Sequence, residues 1–164
     1  MILKLFAAGL VLAGLGLALR LYMGRTAEDA LGPGERIDIR ELRDPIPGNA
    51  FLACPPGYCR ATAAPSPILA LPVERLSRLW DAMITEEPHI VIVADEPAEH
   101  RLAVIQHTPL LRFPDIVTVE FVALDAGRSS VAIYSRARYG SGDFGTNRRR
   151  VLAWLGRLEQ LARQ

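Results

Sequence analysis

Three spacings of apolar residues divide the chain. Residues 5–19 are apolar without interruption, between Lys4 and Arg20. Behind Pro72, the residues Val73, Leu76, Leu79, Trp80 and Met83 recur at helical spacing, which predicts an amphipathic helix ending before Pro88. Four runs at 89–95, 101–108, 115–125 and 129–139 are extended in character, and alternation such as Val117, Val119 and Phe121 against Thr118 and Glu120 implies strands with one buried face. Their short connections imply antiparallel hairpins, with the clearest turn at 125–128 (DAGR). A closing helix over 147–163 carries an apolar stripe of Val151, Leu152, Leu155, Leu158 and Ala162, with Thr146 as its cap.

Helix, four antiparallel strands, helix is an α+β layout: an antiparallel sheet of about four to six strands with two helices packed on it, preceded by an N-terminal transmembrane helix. Residues 45–72 hold seven prolines and read as ordered but irregular, with only 51–54 extended. Before them, 24–44 is polar and turn-rich, with a short strand expected at 36–40 where Ile37 and Ile39 alternate with charges. The expected division is an anchor at 1–24, a tether at 25–46 and one domain at 47–164.

The apolar run alone makes a helix of about 22 Å, short of the roughly 30 Å hydrocarbon core, as a secretory signal would be. Extended over 2–23 it reaches about 33 Å, with Lys4 and Arg20 snorkelling to opposite interfaces and Tyr22 in the aromatic belt. Arg20, Leu21, Tyr22, Met23 and Arg25 occupy the positions where a cleavage site would place small residues, so an uncleaved anchor is the expectation. The short leader suits a single-pass protein of the bacterial inner membrane with its domain facing the periplasm.

The formal net charge is +1, so no global field recruits nucleic acid. The distribution is uneven. Glu86, Glu87, Asp95, Glu96 and Glu99 cluster, whereas the last third is arginine-rich. Cys54 and Cys59 enclose Pro-Pro-Gly-Tyr, a turn that brings two sulfurs within bonding range in an oxidising compartment; buried thiols and a metal pair are the alternatives, though His89, His100 and His107 show no matching spacing.

Residues 140–145 (GSGDFG) match G-x-G-x-x-G between a strand and a helix, but no second parallel strand follows, which removes the dinucleotide reading. The glycines and the first amides of the helix remain a possible anion seat, beside Arg148, Arg149 and Arg150; helix capping by Asp143 and Thr146 is the plainer reading. In the preceding strand Tyr134, Arg136 and Arg138 share one face and Val131, Ile133, Ser135 and Ala137 the other. Arg112 and Asp115 are placed to pair with the arginine side across the sheet. No nucleophile, base or metal set has a spacing that names a reaction, and no cofactor is implied.

Residues 51–59 (FLACPPGYC), 109–120 (PLLRFPDIVTVE) and 135–150 (SRARYGSGDFGTNRRR) together resemble the family called domain of unknown function 1499, over about 47–161. The resemblance implies a small, membrane-tethered or exported domain without an established reaction. The matching positions Arg112, Asp115, Ser135, Arg136, Arg138, Asp143, Asn147 and Arg150 form the candidate ligand-binding set. The expected function is a non-enzymatic, membrane-anchored envelope module binding an anionic or lipid ligand. The alternatives are a hydrolase or transferase using Asp115, Asp143 or His107 as base, and a structural module binding a membrane protein partner.

Overall fold

The computed structural model describes residues 14–18, 21–22, 37–110 and 112–164. The short stretches 14–18 and 21–22 are helical, and most of the expected anchor and tether lies outside the described residues. No helix among the described residues is long and apolar enough to cross a membrane.

Six strands form one sheet in the order β2-β1-β6-β5-β4-β3. They are β1 (Ala50–Cys54), β2 (Ala64–Pro65), β3 (Ile90–Glu96), β4 (Arg101–His107), β5 (Pro114–Ala123) and β6 (Ser129–Ala137). β3 to β6 are a meander of antiparallel hairpins, and β1 adds antiparallel to β6. The sheet is mixed rather than purely antiparallel, because β2 runs parallel to β1. The 125–128 turn closes β5 on β6: the Leu124 and Asp125 amides donate to the Arg128 carbonyl, and the Asp125 carboxylate takes the Gly127 amide and Arg128.

Helices α1 (Val73–Thr85) and α2 (Thr146–Ala162) both cover one face. Their inward residues Val73, Leu76, Trp80, Met83, Val151, Trp154, Leu155 and Leu158 pack on Ala53, Leu102, Val104, Val117, Val119, Phe121, Val131 and Ile133. Trp80 meets Phe121 and Trp154 edge to face, at ring centroid distances of 5.9 and 5.6 Å. The stripe on α2 differs from expectation by one position: Trp154 is buried and Leu152 is exposed. Its cap differs too. Thr146 opens the helix, and the Asp143 side chain accepts from the Gly145 and Asn147 amides at 2.8 and 2.7 Å.

The opposite face is covered not by a helix but by chain. Residues 39–41 form a 3-10 turn rather than the expected strand, and Ile39 is fully buried against Leu52, Cys54, Ala61, Val122, Ala132 and Tyr134. Ile37, Leu42 and Ile46, which fall within the stretch expected as a tether, pack against the same cluster. Cys54 and Cys59 are joined by a disulfide across a Cα separation of 6.1 Å.

Candidate functional site

Strand alternation places Gln106, Asp115 and Ser135 on the helix-covered face, near one end of the sheet, where Gln106 is the register partner of Asp115. Arg150 descends on them from the first turns of α2. Its Nη2 donates to Asp115 Oδ2 at 2.6 Å, its Nη1 to Asn147 Oδ1 at 2.6 Å and Ser135 Oγ at 3.0 Å, and its Nε to Gln106 Oε1. One guanidinium thus ties β4, β5 and β6 to the helix, using the planar fork that lysine lacks.

Asn147 extends the network. Its Oδ1 also takes Ser135 Oγ at 2.5 Å, while its Nδ2 donates to Asp143 Oδ2 at 2.8 Å and to the Asn49 carbonyl at 3.0 Å. Asn49 in turn donates to the Gly140 carbonyl at 2.7 Å. Gly140 and Gly145 have φ of 83° and 75°, so the glycine-rich loop turns through conformations that favour glycine.

Inside this cluster Asp115 is met by the charge of Arg150, and Asp143 by neutral amide donors. Burial pushes the Asp115 carboxyl up, Arg150 pulls it back, and the balance lies above the ordinary aspartate value. Burial also raises Asp143, but the Asn147 and Gly145 amides outweigh it and hold that carboxyl below its ordinary value.

Five of the eight candidate residues, Asp115, Ser135, Asp143, Asn147 and Arg150, are therefore brought together in one network, their donors met by acceptors within it. The other three are elsewhere. Arg136 follows Tyr134 on the opposite face and acts electrostatically on it. Arg138 lies past the end of β6, its amide bonded to the Pro114 carbonyl at 3.1 Å. Arg112 lies in the β4–β5 turn with Nη1 2.9 Å from His89 Nδ1. Arg112, Arg136 and Arg138 do not join Arg150 at the helix start, and Asp115, expected to pair with the arginine side of β6, pairs with Arg150 instead.

Beside the network, α2 and the β3–β4 end of the sheet enclose a groove of about 410 Å³. Arg149, Arg150, Ala153, Trp154 and Arg157 line it from the helix, and His89, Gln106, His107 and Pro109 from the sheet. Arg157 is paired with Glu86 and Glu87. Arg149 is exposed and donates to the Phe144 carbonyl at 2.8 Å and Thr146 Oγ1 at 3.3 Å, and no carboxylate pairs with it among the described residues. Gln106, Ala153, Trp154 and Arg157 were missed as site residues. For Gln106 a signal existed, a polar residue at the inward parity of Leu102 and Val104.

A second cleft of about 330 Å³ lies on the other face, lined by Asp38, Arg40, Tyr58, Glu99, Arg101 and Glu120. Glu120, nearly buried, takes the Tyr58 hydroxyl at 2.9 Å and the Ile39 amide at 3.4 Å. Burial, then the bond to the Glu120 carboxylate, push the Tyr58 hydroxyl up to about 12. Among the described residues, no group of histidine, cysteine and acidic side chains is arranged to hold a metal ion.

Two helices on one face of a six-stranded sheet, locked by a buried arginine and flanked by a groove edged by Arg149, define a small α+β domain with a single helix-covered core. The chain belongs to the family described as protein of unknown function (DUF1499), whose model matches residues 49–158. The matched stretch contains the Arg150 network from Asn49 onward, all of α1 and α2 as far as Leu158. No curated protein matches the chain.

Proposed function

We propose that this protein is a membrane-tethered binding module for an anionic amphiphile, held in the groove between α2 and the β3–β4 end of the sheet. The observation that carries the reading is the make-up of that groove: apolar Ala153, Trp154 and Pro109 beside Arg149, whose present partners are a carbonyl and a hydroxyl. A phosphate or carboxylate offers the guanidinium an opposite charge and two parallel acceptors, which a carbonyl and a hydroxyl do not. The volume lies within the range of small-molecule sites.

The anchor is the apolar segment 1–24, with the domain on the outer side of a bacterial inner membrane. The Cys54–Cys59 disulfide supports an oxidising compartment. The hydrolytic alternative loses its two carboxylates, because Asp115 is engaged by Arg150 and Asp143 by the start of α2.

The test is titration of the full chain, in a non-ionic amphipol, with octyl phosphate, octanol and inorganic phosphate, read by the emission of its two tryptophans. Octyl phosphate shifts the emission, and octanol and phosphate bind more weakly. Arg149→Ala weakens octyl phosphate about tenfold, the equivalent of ~1.4 kcal/mol. Ala153→Phe, which fills the groove from an exposed helix position, abolishes the shift. An emission spectrum indifferent to octyl phosphate would sink the reading.

A further inference from the structure

Two large apolar side chains border the groove and take no part in the core: Phe144 is 98% exposed and Leu110 is 77% exposed. Phe144 precedes Gly145 and the groove-lining Thr146, in the loop between β6 and α2. Leu110 follows the groove-lining Pro109, in the turn between β4 and β5. Both loops leave the same end of the sheet, since His107 pairs with Pro114 and Asp115 with Ala137. Half-exposed Tyr139 lies at that end as well.

The loop that carries Phe144 is fixed. Asp143 grips the Gly145 amide with one oxygen and the Asn147 amide with the other, and Arg149 holds the Phe144 carbonyl. The ring is presented outward by a rigid loop. The two loops carry an excess of positive charge: residues 138–150 contain Arg138, Arg148, Arg149 and Arg150 against Asp143, and residues 108–114 contain Arg112 and no acid, while Glu86 and Glu87 beside the groove are paired with Arg157. Asp143 turns both carboxylate oxygens inward to amides, and Arg150 is neutralised by Asp115.

We infer that this end of the domain docks on an anionic lipid surface, with Phe144 and Leu110 entering the interface, Arg112, Arg148 and Arg149 at the headgroups, and the groove opening toward the bilayer. Protruding apolar side chains within a basic ring are what an anionic interface binds, through apolar burial and attraction to the headgroups together. The inference rests on the groove reading for the direction in which a ligand enters, while docking itself is measured separately. Reach permits it. The described domain begins at Ile37, whose carbonyl takes Arg101 Nη2 at the far end of β4, and residues 25–36 extended at roughly 3.4 Å each cover about 40 Å, more than the roughly 34 Å length of β5.

The test uses the full chain in vesicles of phosphatidylcholine alone or mixed with phosphatidylglycerol. Leu110→Cys, Phe144→Cys and, at the opposite end of the sheet, Leu124→Cys each carry a nitroxide, attached without reductant so that the native disulfide stays closed. In the mixed vesicles the nitroxides at 110 and 144 become several-fold more accessible to oxygen than to a water-soluble nickel chelate, and the one at 124 does not. Equal water accessibility at all three positions overturns docking. Equal protection in both kinds of vesicle overturns the requirement for an anionic surface. Octyl phosphate binding is read independently, so failure of docking and failure of the groove are distinguishable.

Discussion

Arg150 and Asp115 form an ion pair, Nη2 to Oδ2 at 2.6 Å, with side chains only 7% and 5% exposed. Removing one member leaves the other buried without a counter-charge, at a cost of about 3–5 kcal/mol. Arg150→Ala therefore lowers the urea midpoint sharply. Replacing both residues, as Arg150→Met with Asp115→Leu, recovers much of the loss. If the double variant is as unstable as the single one, the burden lies in the hydrogen bonds to Ser135, Asn147 and Gln106 rather than in the charge.

Asp143→Ala removes the acceptor for two amides at the start of α2 and one bond to the Asn147 side chain, a loss of about 1–2 kcal/mol by the usual worth of a helix cap. The pH dependence has a definite sign. The Asp143 carboxyl lies below its ordinary value of 3.8, so its stabilisation is complete above that pH and disappears as pH falls through the folded value. Asp115, raised above 3.8, acts oppositely: its burden lightens as pH falls through its own folded value. Melting curves of Asp143→Ala should lack part of the acid-side decline of the parent chain.

Tyr58 titrates late. With its hydroxyl pushed up to about 12 against a reference of 10.0, the folded state holds that proton more tightly, so stability falls as pH rises from about 10 through 12. Absorbance titration of the four tyrosines should show a late component that Tyr58→Phe removes. A titration curve unchanged by that substitution contradicts the Tyr58–Glu120 bond.

The disulfide closes the loop that carries Tyr58. On the chain-entropy model a loop this short contributes about 2 kcal/mol, so Cys54→Ser with Cys59→Ser lowers stability by that order. The late tyrosine should also move toward its ordinary value. In intact cells both sulfurs resist alkylation until reductant is added, if the domain lies in an oxidising space.

Ile39 lies outside the family match but inside the core. Ile39→Ala costs about 2–5 kcal/mol, the range for a large aliphatic residue truncated in a core. A chain trimmed to begin at Asn49 exposes Leu52, Val122 and Ala132 and strips Glu120 of one donor. Its urea midpoint, compared with that of a chain beginning at Ile37, checks this.

Much of this architecture was legible, because alternation and helical spacing are imposed by burial itself. All four runs of the meander and both helices appear with their ends shifted by at most two or three residues. β2 was not legible: it is two residues long, includes a proline, and exists through its pairing with β1 and not through any pattern of its own. The partition of the site was half visible. Alternation along β6 already separates Ser135 from Arg136, but nothing local says which face α2 covers, so eight residues that read as one surface fall on two faces and a turn. Arg150 was the hardest residue to read. An arginine in a run of three has the look of solvated charge, and only the depth of Asp115 and Ser135 beneath the helix draws it inward.

The borders of the sheet limit how it can grow. At one border β3 loses regular register between Ile92 and Ala94, and at the other β2 offers two residues, one of them Pro65 without an N–H. A strand arriving from another molecule would find a broken row of donors and acceptors on either side. Self-templated extension, the hazard of any open sheet, is thereby obstructed at both flanks.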